Sequence, residues 1–294
     1  MTTIRDRLTA VVPSEESRLG YLLWLSRPRF WLYLAGPVVV GVTYAAETTA
    51  QLFSPLAIGL FAYFLVPANV FLYGVNDRFD ADADEHNPKK DESGREVRYR
   101  TDTAVGTVVL LSGLLALGFV PFVPWQATVA LLAWFALSVE YSAPPFRFKT
   151  TPLLDSVSNG LYILPAVVAY AAIEGAWPPA LAVLAGWLWT MGMHTFSAIP
   201  DIEADRAAGI RTTATVLGER RTYGYCGVCW LAAAATFALV HPVFGGLLLL
   251  YPVLIWAITA AGIDVHEAYW WYPAINTAVG TAFTLVGLWV TLYG

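Results

Sequence analysis

The chain is 294 residues long, 57% hydrophobic and only 13% charged, with a mean hydropathy of +0.56. A soluble domain carries about 25% charge, so the composition excludes one and points to an integral membrane protein. The net charge of −5, built from 14 Arg and 3 Lys against 22 acidic residues, leads us to expect no nucleic-acid partner.

In chain order, the first twenty residues hold Arg5, Asp6, Arg7, Glu15, Glu16 and Arg18, and lack the apolar core of a cleavable signal peptide. Residues 17–29 read as an amphipathic segment lying at the interface. Apolar runs of the roughly 20 residues that cross a bilayer then fall at 29–46, 54–75, 103–123, 125–142, 154–172, 178–199, 222–240, 243–262 and 270–292. They predict an all-α fold of nine transmembrane helices in a single domain over 1–294, with 1–28 as a cytoplasmic or interfacial lead. The runs are continuous rather than alternating, which excludes a β-barrel.

All 17 Lys and Arg residues fall into four groups: Arg5 to Arg29, Arg78 to Arg100, Arg147 with Lys149, and Arg206 to Arg221. With nine spans these are the N-terminal segment and the connections after the second, fourth and sixth helices, all on one side. The positive-inside rule places that side, with the N-terminus, in the cytoplasm. Cys226 and Cys229 form a CxxC on an apolar helix, where small residues packing at helical spacing is a better reading than a redox or metal pair.

Two aspartate clusters close apolar runs on the charged side. The first holds Asn76, Asp77, Asp80 and Asp84, with the aspartates at i, i+3 and i+7 and so on one face of a helix. The second holds Asp201 and Asp205 at i, i+4. Carboxylates this close repel one another at a membrane edge, and a hard cation such as Mg²⁺ binds one or two carboxylates together with substrate phosphates. Asp82, Glu85, Asp91 and Glu92 read as solvated surface. A third charged loop, Tyr141 to Lys149, alternates aromatic and cationic side chains, which suits Arg147 and Lys149 to phosphate oxygens; Arg211, in the loop after the second cluster, is assigned likewise. His194, one heptad before Asp201, is a candidate cavity residue, as are Phe71, Tyr73, Trp189 and Phe196. Glu140 is a candidate base.

Asn76-Asp77-x-x-Asp80-x-x-x-Asp84, the Tyr141 to Lys149 loop and Asp201-x-x-x-Asp205-x-x-x-Gly209, in this order, closely resemble the UbiA superfamily of membrane prenyltransferases. The resemblance covers nearly the whole chain and implies a helical bundle with a central, lipid-open cavity capped by cytoplasmic loops. It implies that Asn76, Asp77, Asp80, Asp84, Asp201 and Asp205 hold Mg²⁺ and a prenyl diphosphate. Asp77, Asp80 and Asp201 would then serve catalysis with Tyr141 nearby, while Asn76, Arg147, Lys149, Arg211 and His194 bind substrate.

Within that family, residues 73–90 and 198–205 are most similar to the branch of salt-loving archaea that elongates lycopene. The acidic, lysine-poor composition agrees with a salty cytoplasm. This resemblance implies dimethylallyl transfer to lycopene with hydration, in bacterioruberin-type carotenoid synthesis. Digeranylgeranylglyceryl phosphate synthesis and prenylation of a quinone precursor stand as alternatives. A cation-coupled transporter is disfavoured, because transporters place coupling sites near the bilayer midplane, whereas these aspartates end helices.

Overall fold

A computed structural model describes residues 16–84, 100 and 102–293, and among them the secondary structure is helical. Helix α1, Arg18–Leu25, is capped by the Ser17 hydroxyl, which accepts from Gly20 N at 3.0 Å. The chain then turns at Arg27, whose backbone is left-handed (φ 51°), and enters α2, Trp31–Ala45. Helix α3, Pro55–Leu65, starts on the pair Ser54–Pro55: a hydroxyl cap, then a proline with no N–H to leave unsatisfied. Helix α4, Pro67–Asp84, follows directly. Asp102 caps α5, Thr103–Leu114, which runs on as a 3₁₀ stretch to Phe122. Helix α6 is Trp125–Glu140.

Residues 154–174 form a broken rod: one turn at Leu154–Val157, a 3₁₀ stretch at Ser158–Tyr162, then α7, Leu164–Glu174, closed by left-handed Gly175 (φ 79°). Helix α8 is Ala180–Ser197 and short α9 is Ile202–Ala207. Helix α10, Thr213–Leu217, begins on a capping box between Thr212 and Thr215. The second half ends with α11, Glu219–Val240, α12, Pro242–Leu248, α13, Leu250–Ala261, and α14, Val265–Tyr293.

Each of the nine predicted segments falls on helix among the described residues. Two boundaries differ for clear reasons. The run 54–75 is two helices, because Pro67 brings no N–H to continue α3. The second of them continues past residue 75 to Asp84, so the first aspartate cluster forms its last turns, on helix as its spacing predicts. Among the described residues, five stretches are long and apolar enough to cross a bilayer, namely Thr49–Asp80, Thr103–Phe122, Leu154–Glu174, Glu219–Val240 and Pro242–Ala261; Trp125–Glu140 is apolar but shorter.

Two buried clusters organise the bundle. One joins α1 to α7 around Phe64, Leu131 and Trp134; the other joins α8 to α14 around Phe196, Trp230, Tyr251 and Tyr272. Lipid offers apolar side chains nearly what a protein interior does, so close packing holds membrane helices together. Small residues make it possible: a Cβ on Gly41 of α2 would lie 2.3 Å from the Ala166 carbonyl of α7, and one on Gly160 would lie 1.9 Å from the Trp187 ring. The last helix returns to the first half, where Tyr44 Oη donates to the Phe283 carbonyl at 2.8 Å. The two halves thereby enclose a space.

Candidate active site

The end of α4 splits the first cluster between two sets of cations. Asp77 is 1% exposed, and its Oδ1 meets Arg27 Nη2 at 2.9 Å. The Arg27 guanidinium also lies 4.5 Å above the Tyr73 ring, so a turn of α4 and the left-handed turn after α1 grip one another. Asp80, one turn on, faces the third charged loop. Arg147 Nη2 donates to its Oδ1 at 3.0 Å, and the Lys149 ammonium contacts its Oδ2. Asn76 Nδ2 donates to Ser142 Oγ at 3.0 Å. Asp84 ends the helix, and its side chain lies outside the described residues, as do Asp82, Glu85, Asp91 and Glu92.

The loop after α6 is folded to present these cations. Lys149 N donates to the Tyr141 carbonyl and Arg147 N to that of Ala143, each at 3.0 Å. Arg147 is left-handed (φ 44°), as is Arg27, a conformation that costs about 1–2 kcal/mol for a residue with a Cβ. Both of these turns hold a cation against an aspartate of α4. Directly after the loop, buried Asp155 accepts from Thr213 N at 2.8 Å and from the Thr213 hydroxyl, while that hydroxyl accepts from Leu153 N at 2.7 Å. The Asp155–Thr213 clamp ties the Lys149 loop to the segment carrying Arg211.

In the second cluster, Asp201 ends a 3₁₀ turn and Asp205 lies on α9, both half-buried. Ile210 N returns to the Asp205 carbonyl at 2.8 Å, with Gly209 left-handed between them. Arg206, one of the cations that follow the second cluster in sequence, staples this turn through Nη2 to the Thr215 carbonyl at 2.8 Å. Arg211 is exposed. Among the described residues, no three His, Cys, Asp or Glu side chains converge on one point.

Beneath these groups lies a cavity of about 700 Å³. Arg27, Asn76, Tyr141, Asn159, His194 and Ser197 form its polar end, and its walls run down α2, α7, α8 and α14 to Pro178 and Phe283. Tyr141 Oη lies 3.2 Å from His194 Nε2. Further along, Tyr251 Oη donates to Asn276 Oδ1 at 2.8 Å and Asn276 Nδ2 to Tyr33 Oη at 3.1 Å. Of the aromatic candidates, Tyr73 and Trp189 line the cavity. Phe71 and Phe196 do not: Phe71 stacks on Phe135 at 4.9 Å and Phe196 on Tyr272 at 4.5 Å, both inside the packed clusters. Proximity in sequence to an aspartate did not decide which way a ring turns. Glu140 Oε2 is buried without a hydrogen-bond partner, and the residue does not line the cavity.

Arg27, Ser142, Asp155 and Thr213 were not singled out from sequence. Arg27 was legible only as one of five cations before residue 30. Asp155, an acid next to an apolar run, was a signal that could have been read.

The donor set suits Mg²⁺. Asn76, Asp80, Asp201 and Asp205 offer amide or carboxylate oxygens, the ligands a hard cation takes alongside substrate phosphates. The cations suit the diphosphate. Arg147 Nε is buried and meets no protein acceptor, so its guanidinium keeps donor capacity for an anion's oxygens. The arrangement thus joins an anion- and metal-binding cap to an apolar chamber.

A model of the UbiA prenyltransferase family matches residues 34–277. A lycopene elongase/hydratase of Haloarcula japonica is 70% identical over 98% of this chain and 98% of that protein. One of Haloferax volcanii is 65% identical over 94% of this chain and 91% of that protein. Among solved structures, a UbiA homolog from Archaeoglobus fulgidus bound to GPP and Mg²⁺ superposes with a TM-score of 0.72 at 21% identity, covering 91% of this chain and 99% of that one. The same homolog bound to DMAPP and Mg²⁺ gives 0.69 at 20% identity over 92% and 99%. Likeness at that identity establishes the shared helical fold.

Proposed function

This chain belongs to the UbiA prenyltransferase family, and from that premise we propose that it moves a dimethylallyl group from its diphosphate to each end of lycopene, hydrating the neighbouring double bond, at the cytoplasmic face of the cell membrane. The observation that carries the reading is the pairing of Asp80 with Arg147 and Lys149 one helical turn beyond Asn76, which lines a largely apolar cavity. The acceptor is read from the haloarchaeal relatives, which are lycopene elongase/hydratases. The whole chain acts as one membrane domain in this reading, with nine crossings and the four cationic groups inside.

The donor's diphosphate lies at the cap and its five-carbon tail points into the cavity. Arg147, Lys149 and Arg211 take phosphate oxygens, and Asn76, Asp80, Asp84, Asp201 and Asp205 hold the accompanying metal. Bound Mg²⁺ supplies charge neutralisation of the leaving diphosphate. Arg27 and Asp77 keep the first turn of the cap in place, so Asp77 positions the cluster through an ion pair. The cavity walls exclude bulk water from the allylic cation, and Tyr141 and Tyr162, which line the cavity, supply aromatic groups of the kind that stabilise positive charge. A neutral polyene needs no anchoring charge; among the described residues the one cavity-lining Lys or Arg is Arg27, which is already paired with Asp77.

The test is incubation of purified protein with lycopene, labelled dimethylallyl diphosphate and Mg²⁺, followed by product mass analysis. Products heavier by one and then two five-carbon units, each with added water, are expected. An unchanged lycopene pool together with prenylation of geranylgeranylglyceryl phosphate would overturn the acceptor assignment.

A further inference from the structure

Prenyl transfer to an isolated double bond leaves a problem that the diphosphate cap does not solve. As the π electrons of the acceptor's terminal C=C form the new C–C bond, the donor's C–O bond breaks and diphosphate departs. Positive charge then rests on the more substituted acceptor carbon, next to the new bond. That cation has two exits. Loss of a proton from a neighbouring carbon yields an alkene, whereas capture of water followed by loss of one proton from the oxonium yields a tertiary alcohol. The second exit needs a water held beside the cation and a base to take its proton, within an otherwise apolar chamber.

The cation forms two bonds from the carbon that carried the diphosphate, so the water must sit at the polar end of the cavity. The side chains there are few. Arg27 is spent on Asp77 and has no lone pair to offer, and Asn76 donates to Ser142. Asn159 Nδ2 donates to the Asp155 carbonyl, and Ser197 Oγ is likewise turned to a backbone carbonyl. Tyr141 and His194 pair with each other instead, with Tyr141 Oη 3.2 Å from His194 Nε2 and the two rings edge to face at 5.7 Å. Among the described lining residues His194 is the one imidazole. Ser197 Oγ donates to the His194 carbonyl at 2.7 Å, and the Tyr141 carbonyl accepts from Lys149 N, so the pair is braced against both the α8 terminus and the cationic loop. The hydrogen-bonded group Tyr33–Asn276–Tyr251 on the wall lies deeper. Tyr269, 6.5 Å from Phe196, is level with the end of α8, and Asn276 is seven residues beyond it on α14, about 10 Å further along the helix axis.

We propose that Tyr141 and His194 form the proton-accepting pair of the hydration step, with a water held on the Tyr141 oxygen at the cavity's polar end. The proposal rests on the lycopene reading above. As the water oxygen bonds to the acceptor cation, one of its protons passes to the Tyr141 oxygen while the Tyr141 hydroxyl proton passes to His194 Nε2. The products of the step are the tertiary alcohol, a restored tyrosine and an imidazolium. The imidazolium returns its proton to the departing diphosphate or to solution. No redox partner is involved, and water is the only co-reactant.

The experiment measures the ratio of hydrated to dehydrated elongated lycopene by mass, in ¹⁸O-labelled water, for the wild type, His194→Phe, Tyr141→Phe and Asn276→Leu. Because the ratio is taken within the elongated product, a slower transfer step does not move it. The wild type and Asn276→Leu should yield labelled alcohol, and the ratio should fall at least about tenfold in the other two. Folding is checked by gel filtration and helical circular dichroism; if His194→Phe does not fold, Tyr141→Phe, which removes one oxygen, carries the test. An unchanged ratio in folded His194→Phe and Tyr141→Phe, with a hydrating wild type, overturns this inference and leaves the acceptor reading intact. So does a shift seen in Asn276→Leu instead, or folded pair variants that form no elongated product of either kind, which would move the pair to the transfer step. A wild type that elongates no lycopene removes the acceptor reading and this inference together.

Discussion

Replacing Lys149 by alanine probes the cap where its geometry is most explicit. The Lys149 side chain is 12% exposed and its ammonium contacts Asp80 Oδ2, while Arg147 holds Oδ1 of the same carboxylate at 3.0 Å. If Lys149 also meets a diphosphate oxygen, its loss removes one hydrogen bond between charged groups, a contribution of about 1.5–3 kcal/mol. Since about 1.4 kcal/mol is tenfold in affinity, the donor KM should rise about 10- to 100-fold. The fold should lose little, because Arg147 still neutralises Asp80 and the Lys149 backbone N–H keeps its bond to the Tyr141 carbonyl. Initial rates are measured against dimethylallyl diphosphate at saturating lycopene, then against lycopene at saturating donor. The acceptor KM should stay near its wild-type value, since the cavity wall below Tyr141 is untouched. Equal rises in both constants, or a donor KM that does not move, would refute the placement of Lys149 on the diphosphate.

Asp80→Ala and Asp201→Ala should each abolish turnover in protein that still folds, and EDTA should reproduce that loss, with excess Mg²⁺ restoring the wild type alone; product counting with labelled donor reads all three. Thr213→Val removes the hydroxyl that joins Asp155 to Leu153 N, so the thermal midpoint should fall by the equivalent of about 2 kcal/mol and the donor KM should rise as the Arg211 segment loosens; an unaltered melt would show that the clamp is not structural. Arg27→Ala and Asp77→Ala, measured singly and together by thermal denaturation, should show a coupling of about 1–3 kcal/mol, whereas additive losses would mean that the 2.9 Å pair does not hold α1 to α4.

The fold class was legible because a bilayer imposes its requirement locally. A run of about 20 apolar residues must satisfy its own backbone as a helix, and that depends on neighbours in sequence alone. The aspartate spacing was legible for the same reason: positions 77, 80 and 84, and 201 and 205, lie along helix or turn whatever else the chain does. Their shared order with the family's motifs then pointed to the chemistry. What helix periodicity does not contain is the partner on another element. Asp77 and Asp80 are three residues apart on one helix, yet Arg27 takes the first and Lys149 the second, across 50 and 69 residues of sequence. Sequence spacing alone ranked Phe71 and Phe196 with Tyr73 and Trp189; packing buried the first two and left the others on the cavity wall. The Tyr141–His194 contact and the Asp155–Thr213 clamp likewise exist only once the end of α6, the turn Leu154–Val157, α8 and α10 have been brought together. A single sequence specifies which groups can be charged and which faces are apolar. Which charge meets which depends on how helices with no hydrophobic drive toward one another in lipid find their closest packing, and that was decided by the tertiary structure.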